Sequence, residues 1–348
     1  MQQNFISGTS PVVQEFESEL ASKFDRKYCV ALSNGSVALD VALQLYDLKK
    51  EDEVIVPSFT IISCLSAILR TNATPIFCDV DINSWNVTLE NIQKVTTKNT
   101  KAIILVHLYG LVGEVSKIVE YCNENNIIII EDAAESHGQV VEDKVCGSIG
   151  DVSTFSFYAN KHITTGEGGA VLTDNKEHFL RLKQMVNLDF DSSKRFIHHN
   201  LYWNYRLGGL QAALGLSQIK GLEKTITRKI EQANYYDQLF SDLSDYLQLP
   251  LKEYNGVRNH YWVYGIMLKN PKLKVELIEY LLNYDIETRP FFYPLHLQPV
   301  LPQMYKNLNF TPIVSEKLYE SGLYIPTGNH LTPKIQRYIS NKIHNFFS

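Results

Sequence analysis

The chain has 348 residues, 45% of them hydrophobic and 20% charged, which suits a large globular domain with room for a smaller one. Its net charge of −5 comes with no basic block, so nucleic acid is not an expected partner, and any anionic substrate must be held by local groups. The start, Met-Gln-Gln-Asn-Phe-Ile-Ser-Gly, lacks the charged and apolar regions of a signal peptide, and runs such as 127–130 are too short to span a bilayer, so neither export nor a membrane is expected.

Short apolar runs predict strands at 28–32, 53–56, 75–80, 102–108, 127–131, 152–157 and 170–173. Helical periodicity falls between them, at 37–45, 61–70, 115–123 and 176–186. Continuous apolar strands with helical crossovers make an α/β fold with a mostly parallel sheet covered on both faces. Residues 210–240 read as one or two long helices leading out of that layer. Beyond them, strands at 261–268 and 287–292 flank a helix at 274–283, and a last helix runs through 334–346. The expected division is a large domain over 1–240 and a smaller α+β domain over 241–348. Cys29, Cys64, Cys78, Cys122 and Cys146 form no CxxC pair and no His/Cys cluster of zinc spacing. Free thiols in a reducing, cytoplasmic setting and no metal site are the expectation.

Three places carry chemistry. Lys161 follows an apolar strand and precedes the turn Gly166-Glu-Gly-Gly. Taken alone it reads as a surface lysine; among Ser156, Asn160, Thr164 and Thr165 it also reads as an amine that meets a carbonyl and forms a Schiff base. Ser33-Asn-Gly-Ser36 lies between a strand and a helix start, where free N–H groups and a hydroxyl bind an anion, or where Ser33 or Asn34 merely caps the helix. Asp132 ends a central strand, as a cap or as a desolvated carboxylate in need of a cation. Together, Lys161, Asp132, Ser33–Ser36 and Ser156 supply one group for each end of pyridoxal phosphate.

The residues then resemble a family, the DegT/StrS-type nucleotide-sugar aminotransferases of the fold-type I pyridoxal phosphate enzymes. The resemblance runs from about Asn4 to the carboxyl end and rests on Ser33-Asn-Gly-Ser, Asp52-Glu-Val-Ile-Val-Pro-Ser-Phe-Thr, Val106-His-Leu-Tyr-Gly and Glu131-Asp-Ala-Ala-Glu. It continues with Phe155-Ser-Phe-Tyr-Ala-Asn-Lys-His-Ile-Thr-Thr-Gly-Glu-Gly-Gly, Asn204-Tyr-Arg and Glu287-Thr-Arg-Pro-Phe-Phe-Tyr-Pro-Leu-His-Leu-Gln-Pro. The Asn-Lys-X-Ile-Thr-Thr-Gly form is most similar to the perosamine and viosamine synthase branch. That resemblance implies amination of C4 of a nucleotide-linked 4-keto-6-deoxyhexose, with L-glutamate as donor. It implies Lys161 as the cofactor's lysine and proton carrier, Asp132 beside the ring nitrogen, Glu135 near the ring hydroxyl, and Gly35, Ser36 and Ser156 on the phosphate. It also implies Asn204 on the phosphate of the neighbouring subunit's cofactor, hence a homodimer with shared sites, and Arg289, Tyr293 and His296 near the sugar nucleotide.

The chain departs from the family pattern in three respects. Ile61 stands where an aromatic residue usually stacks on the cofactor, which forgoes about 0.5–1.5 kcal/mol and predicts weaker cofactor retention. Leu207-Gly-Gly follows Asn204-Tyr-Arg where Met-Thr-Asn is common, and a leading helix of roughly twenty residues is expected to be missing. Rival readings are a 3-aminotransferase acting on a 3-keto sugar, a dehydratase of the same fold, and a non-catalytic sugar- or cofactor-binding protein. Dehydratase relatives carry histidine in place of Lys161, and retention of both Lys161 and Asp132 weighs against a non-catalytic role.

Overall fold

The computed structural model describes residues 5–190, 196–301 and 311–348. The apolar runs of the first half become strands β1 (Tyr28–Leu32), β2 (Glu53–Pro57), β3 (Thr74–Cys78), β4 (Thr100–Val106) and β5 (Ile128–Asp132). A two-residue hairpin follows, β6 (Val140–Val141) with β7 (Lys144–Val145), and then β8 (Val152–Ser156) and β9 (Gly169–Thr173). Apart from the hairpin they form one sheet, in the order β1-β9-β8-β5-β4-β2-β3. β3, β2, β4, β5 and β8 run parallel, while β9 is antiparallel to both β8 and β1. The sheet is the mostly parallel one that the apolar runs imply.

Parallel neighbours need crossovers, and helices provide them. Between the strands lie α2 (Gly35–Gln44), α3 (Ile62–Arg70), α4 (Leu89–Val95) and α5 (Val115–Glu124); α1 (Pro11–Lys23) precedes β1, and α6 (Lys176–Met185), α7 (Gly209–Ile219) and α8 (Leu222–Leu239) follow β9. Val54, Ile55, Ile103, Ile104 and Ile130 are fully buried, as strands covered on both faces require. The expected 210–240 segment divides into α7 and α8 around Lys220 and Gly221.

The last hundred residues build a smaller antiparallel sheet. Its strands are β10 (Leu247–Gln248), β13 (Tyr264–Leu268), β14 (Arg289–Pro290) and β15 (Gly322–Ile325), in the order β10-β13-β15-β14. The hairpin β11 (Glu253–Tyr254) and β12 (Val257–Arg258) stands beside it. Helices α9 (Lys274–Leu282), α10 (Ile313–Ser321) and α11 (Pro333–Phe347) accompany these strands.

The structure corrects the sequence reading at two points. The expected strand over 287–292 shrinks to two residues, because Pro290 has no N–H to carry the ladder on. And a helix that the sequence reading did not list precedes β1: the 13-residue α1 starts at Pro11 and buries Val13, Phe16 and Leu20. It packs against α7 and β1.

Candidate active site

The carboxyl ends of β5 and β8 and the starts of α2 and α3 meet around a cavity of 330 Å³. This is where an open α/β sheet places ligands. Gly35, Ser36, Ile61, Asp132, Glu135, Ser156 and Lys161 all line it.

Lys161 sits in the connection from β8 to β9, which returns on itself through the Lys161 N–H donated to Tyr158 O at 2.9 Å. Its side chain is 8% exposed. Nζ lies 3.6 Å from Glu135 Oε1 and 3.6 Å from the centroid of the Trp262 ring. Burial is the larger influence and lowers the amine's pKa, while Glu135 and Asp132 pull the other way. Burial pushes the Glu135 carboxyl up to about 7, against the pull of Lys161 and of the Tyr109 N–H, which donates to Oε2 at 2.8 Å. An amine made easier to deprotonate beside a carboxyl able to hold a proton is what proton transfer near neutral pH requires.

Asp132 closes β5 and is buried. Oδ1 accepts the Ala134 N–H at 3.1 Å, so the capping reading holds for one oxygen. Oδ2 has only the weak Cys64 thiol at 3.6 Å. Among the described residues no lysine, arginine or histidine pairs with it directly, and burial raises its pKa. Its neighbour Glu131 points away from the cavity and accepts N–H groups from Gly147, Ile149 and Gly150, at 2.5, 2.9 and 3.0 Å. His107 Nε2 lies 2.9 Å from the same carboxylate. His107, Glu131 and Cys146 bring their ligand atoms within 4.8 Å of one another, but the carboxylate's lone pairs are already taken by these donors.

The opposite end of the cavity is built from two helix starts. Asn34 caps α2 by accepting the Val37 N–H at 2.9 Å. Ser36 in the first turn of α2 and Ser63 in the first turn of α3 bring their Oγ atoms to 2.6 Å. First-turn amides have no partner within the helix, and two such turns aimed at one spot favour an anion. A Cβ on Gly35 would fall 2.7 Å from Ser156 Cβ, so only glycine lets α2 begin this close to β8. Ile61, 41% exposed, precedes α3 at the mouth of the cavity.

Four predicted residues lie elsewhere. Asn204 is exposed, bridges in backbone to Asn187, and does not line this cavity. Arg289 is exposed, pairs with Glu287 at 3.2 Å, and lines a neighbouring cavity. Tyr293 packs edge-on to Tyr319. His296 is buried, with Nδ1 2.6 Å from Ser58 Oγ and Nε2 3.0 Å from Glu316 Oε1.

The sequence reading did not name Trp262, Tyr324, Phe292 or Ser63, all of which line the cavity. Trp262 reaches Lys161 because Gly110 adopts a φ of +90°, and a Cβ there would meet the Tyr261 and Trp262 nitrogens at 2.8 Å. The Trp262 N–H then donates to Tyr109 O at 3.1 Å. Of the motifs, only the glycine in Val106-His-Leu-Tyr-Gly hinted at so close a backbone approach.

The cavity's donors fit pyridoxal phosphate end to end. A buried carboxylate without a cation suits the ring nitrogen, the amine suits the aldehyde, and the paired helix starts suit the phosphate. Residues 1–344 match the DegT/DnrJ/EryC1/StrS aminotransferase family. The chain is 37% identical over 344 residues to the GDP-perosamine synthase of Escherichia coli O157:H7, covering 99% of this chain and 92% of the relative. It is 33% identical over 347 residues to the GDP-perosamine synthase of Vibrio cholerae, covering 99% and 93%. Its fold matches the X-ray structure of the aminotransferase from Psychrobacter cryohalolentis with a TM-score of 0.91 at 27% identity, over 99% of this chain and 94% of the other. Likeness of this extent, on a cavity of this chemistry, identifies the chain as a pyridoxal-phosphate-dependent enzyme that belongs to the DegT/DnrJ/EryC1/StrS aminotransferase family.

Proposed function

We propose that the enzyme moves an amino group from L-glutamate to C4 of a nucleotide-linked 4-keto-6-deoxyhexose, giving a perosamine- or viosamine-type 4-amino-4,6-dideoxy sugar. The observation that carries this reading is Lys161, a buried amine at the cofactor cavity of a chain whose full-length relatives include GDP-perosamine synthases. A dehydratase of this fold would have histidine there.

When bound, pyridoxal phosphate supplies an electrophilic aldehyde and a ring that withdraws electrons from the reacting carbon. Asp132 would keep the ring nitrogen protonated; a charge pair at contact distance in an effective dielectric of about 20 attracts by on the order of 5 kcal/mol before desolvation. Gly35, Ser36, Ser63 and Ser156 would hold the phosphate, and Ile61 would lie beside the ring. Lys161 Nζ, kept easy to deprotonate, takes the proton from the donor's α-carbon and in the second half of the cycle delivers one to C4 of the sugar. Glu135 shares that proton through its contact with Nζ, and the Trp262 indole shields Nζ from water.

On the sugar side the reading relies on Arg289. His296 would act there only by giving up Ser58 or Glu316, and Tyr293 by leaving Tyr319. The reading includes a homodimer with shared sites. Asn204, exposed and outside the lining of its own cavity, and Leu201 at 98% exposure support it. It also places the enzyme in the cytoplasm, in keeping with five buried free thiols; among the described residues no helix is long and apolar enough to cross a membrane.

The test is spectroscopic. Cofactor-loaded protein is mixed with glutamate, and then with GDP-, UDP- and dTDP-linked 4-keto-6-deoxyhexoses and a 3-keto sugar. Glutamate should bleach the visible band and one 4-keto sugar should restore it. Restoration by the 3-keto sugar alone would move the reaction to C3. A band that glutamate never bleaches would point to another amino donor or to a binding protein.

A further inference from the structure

A second cavity, of 370 Å³, adjoins the first and shares Asn160, Lys161, Trp262 and Tyr324 with it. Lys229 of α8 lines it. Solvent is the ordinary place for a lysine ammonium, yet this residue is only 8% exposed. Nζ donates to Trp262 O at 2.8 Å and to Thr327 Oγ1 at 3.2 Å. An ammonium has three N–H donors, so one is left over. Both acceptors are neutral, and no described carboxylate bears on the group. Burial lowers its pKa to about 8, and the charge of Lys161 pushes the same way. A buried cation without a counter-ion is costly enough that proteins usually pair it. The lining holds Lys161, Lys229 and Arg289 against one carboxylate, Glu287, which Arg289 already engages at 3.2 Å.

We propose that this cavity seats an oxyanion carried by a substrate, on the spare N–H of Lys229 with Arg289 at the rim: the carboxylate of the amino donor, or the diphosphate of the sugar nucleotide. The inference rests on the transamination reading above. Both substrates present their reacting atoms at Lys161, so an anionic end that reaches past Lys161 and Trp262 enters this space.

Lys229→Met keeps an unbranched side chain, one atom shorter, and removes the charge. On the cofactor-loaded enzyme, glutamate affinity is read from the concentration dependence of band bleaching, and GDP, UDP and dTDP affinities from calorimetry. The expected result is weakening of about tenfold or more in one arm, the worth of one charge-assisted hydrogen bond, with the saturating bleaching rate within about threefold. Weakening confined to glutamate assigns the site to the carboxylate; weakening confined to a nucleotide assigns it to the diphosphate. Affinities unchanged in both arms overturn the proposal. So does a collapsed saturating rate with both affinities intact, since Lys229 would then only prop Trp262. If Lys229→Met does not fold, the exposed Arg289→Gln decides: weakening of about threefold in one arm supports the site, and none in either arm overturns it. A parent enzyme that ignores glutamate but binds a nucleotide through Lys229 would sink the transamination reading and leave the anion site standing.

Discussion

Lys161 and Glu135 touch at 3.6 Å with burial working against the charge on each, so the pair is poised to pass a proton rather than to hold the fold together. On the proposed mechanism, Lys161→Ala removes both the cofactor's lysine and the proton carrier. Turnover should fall by more than about 10³-fold while the cofactor still binds through the phosphate cradle; substantial residual turnover would sink the assignment. Glu135 also predicts how the cofactor-free protein responds to pH. Its carboxyl ionises near 4.5 in an ordinary setting and at about 7 here. Between those values the folded state holds a proton that the unfolded chain has released. The group's contribution to stability is therefore full below about 4.5 and is lost as the pH rises to about 7. Glu135→Gln abolishes that contribution, while Asp132, also raised by burial, acts in both proteins. Urea midpoints measured from about pH 5 to 7.5 should then fall less steeply in the variant, and equal slopes would rule Glu135 out as the cause.

The elements show why one part of the site was legible and another was not. Lys161, Asp132, Ser36 and Ser156 follow or end strands, or begin a helix, that local pattern reveals, so their meeting at one sheet edge follows from the α/β reading. Trp262 and Tyr324 belong to the smaller sheet region, and no local pattern says which of its side chains will face the lysine. α1 was legible in principle, with Ser10 before Pro11 and Val13, Phe16 and Leu20 on one face, but its polar remainder masked the period. α10 and β15 are short and depend on tertiary packing. The junction at Gly110 is where the two sheets' surroundings lock together. Gly110→Ala would force a side chain into φ +90° and against the 261–262 backbone. A loss of about 1–3 kcal/mol is expected in chemical unfolding, with a changed Trp262 fluorescence, because the backbone that carries the indole must shift. Unchanged stability would show that the junction yields freely.

Across the whole molecule, the exposed Asn204 allows a test of shared sites that needs no structure of the assembly. If Lys161 and Asn204 of one site come from different chains, a Lys161→Ala chain paired with an Asn204→Ala chain carries both defects in one site and none in the other. Equal mixtures of the two variants, unfolded and refolded together, should regain roughly a quarter of the parent activity, given random pairing. No recovery above the separate variants would place both residues in one chain's site or remove Asn204 from it. The first cavity has a further consequence. Its lining is drawn from Asn34 at one extreme to Tyr324 at the other, so no unfolded or half-folded chain offers the cofactor a site. A ligand that binds only the native state raises stability by mass action, about 2.7 kcal/mol at a hundred times its dissociation constant. Denaturant midpoints should therefore climb with added pyridoxal phosphate, and a midpoint indifferent to it would mean that the cofactor does not select the folded chain. In a cell short of the vitamin, the pool of this enzyme would shrink twice over, through empty sites and through chains lost to proteolysis.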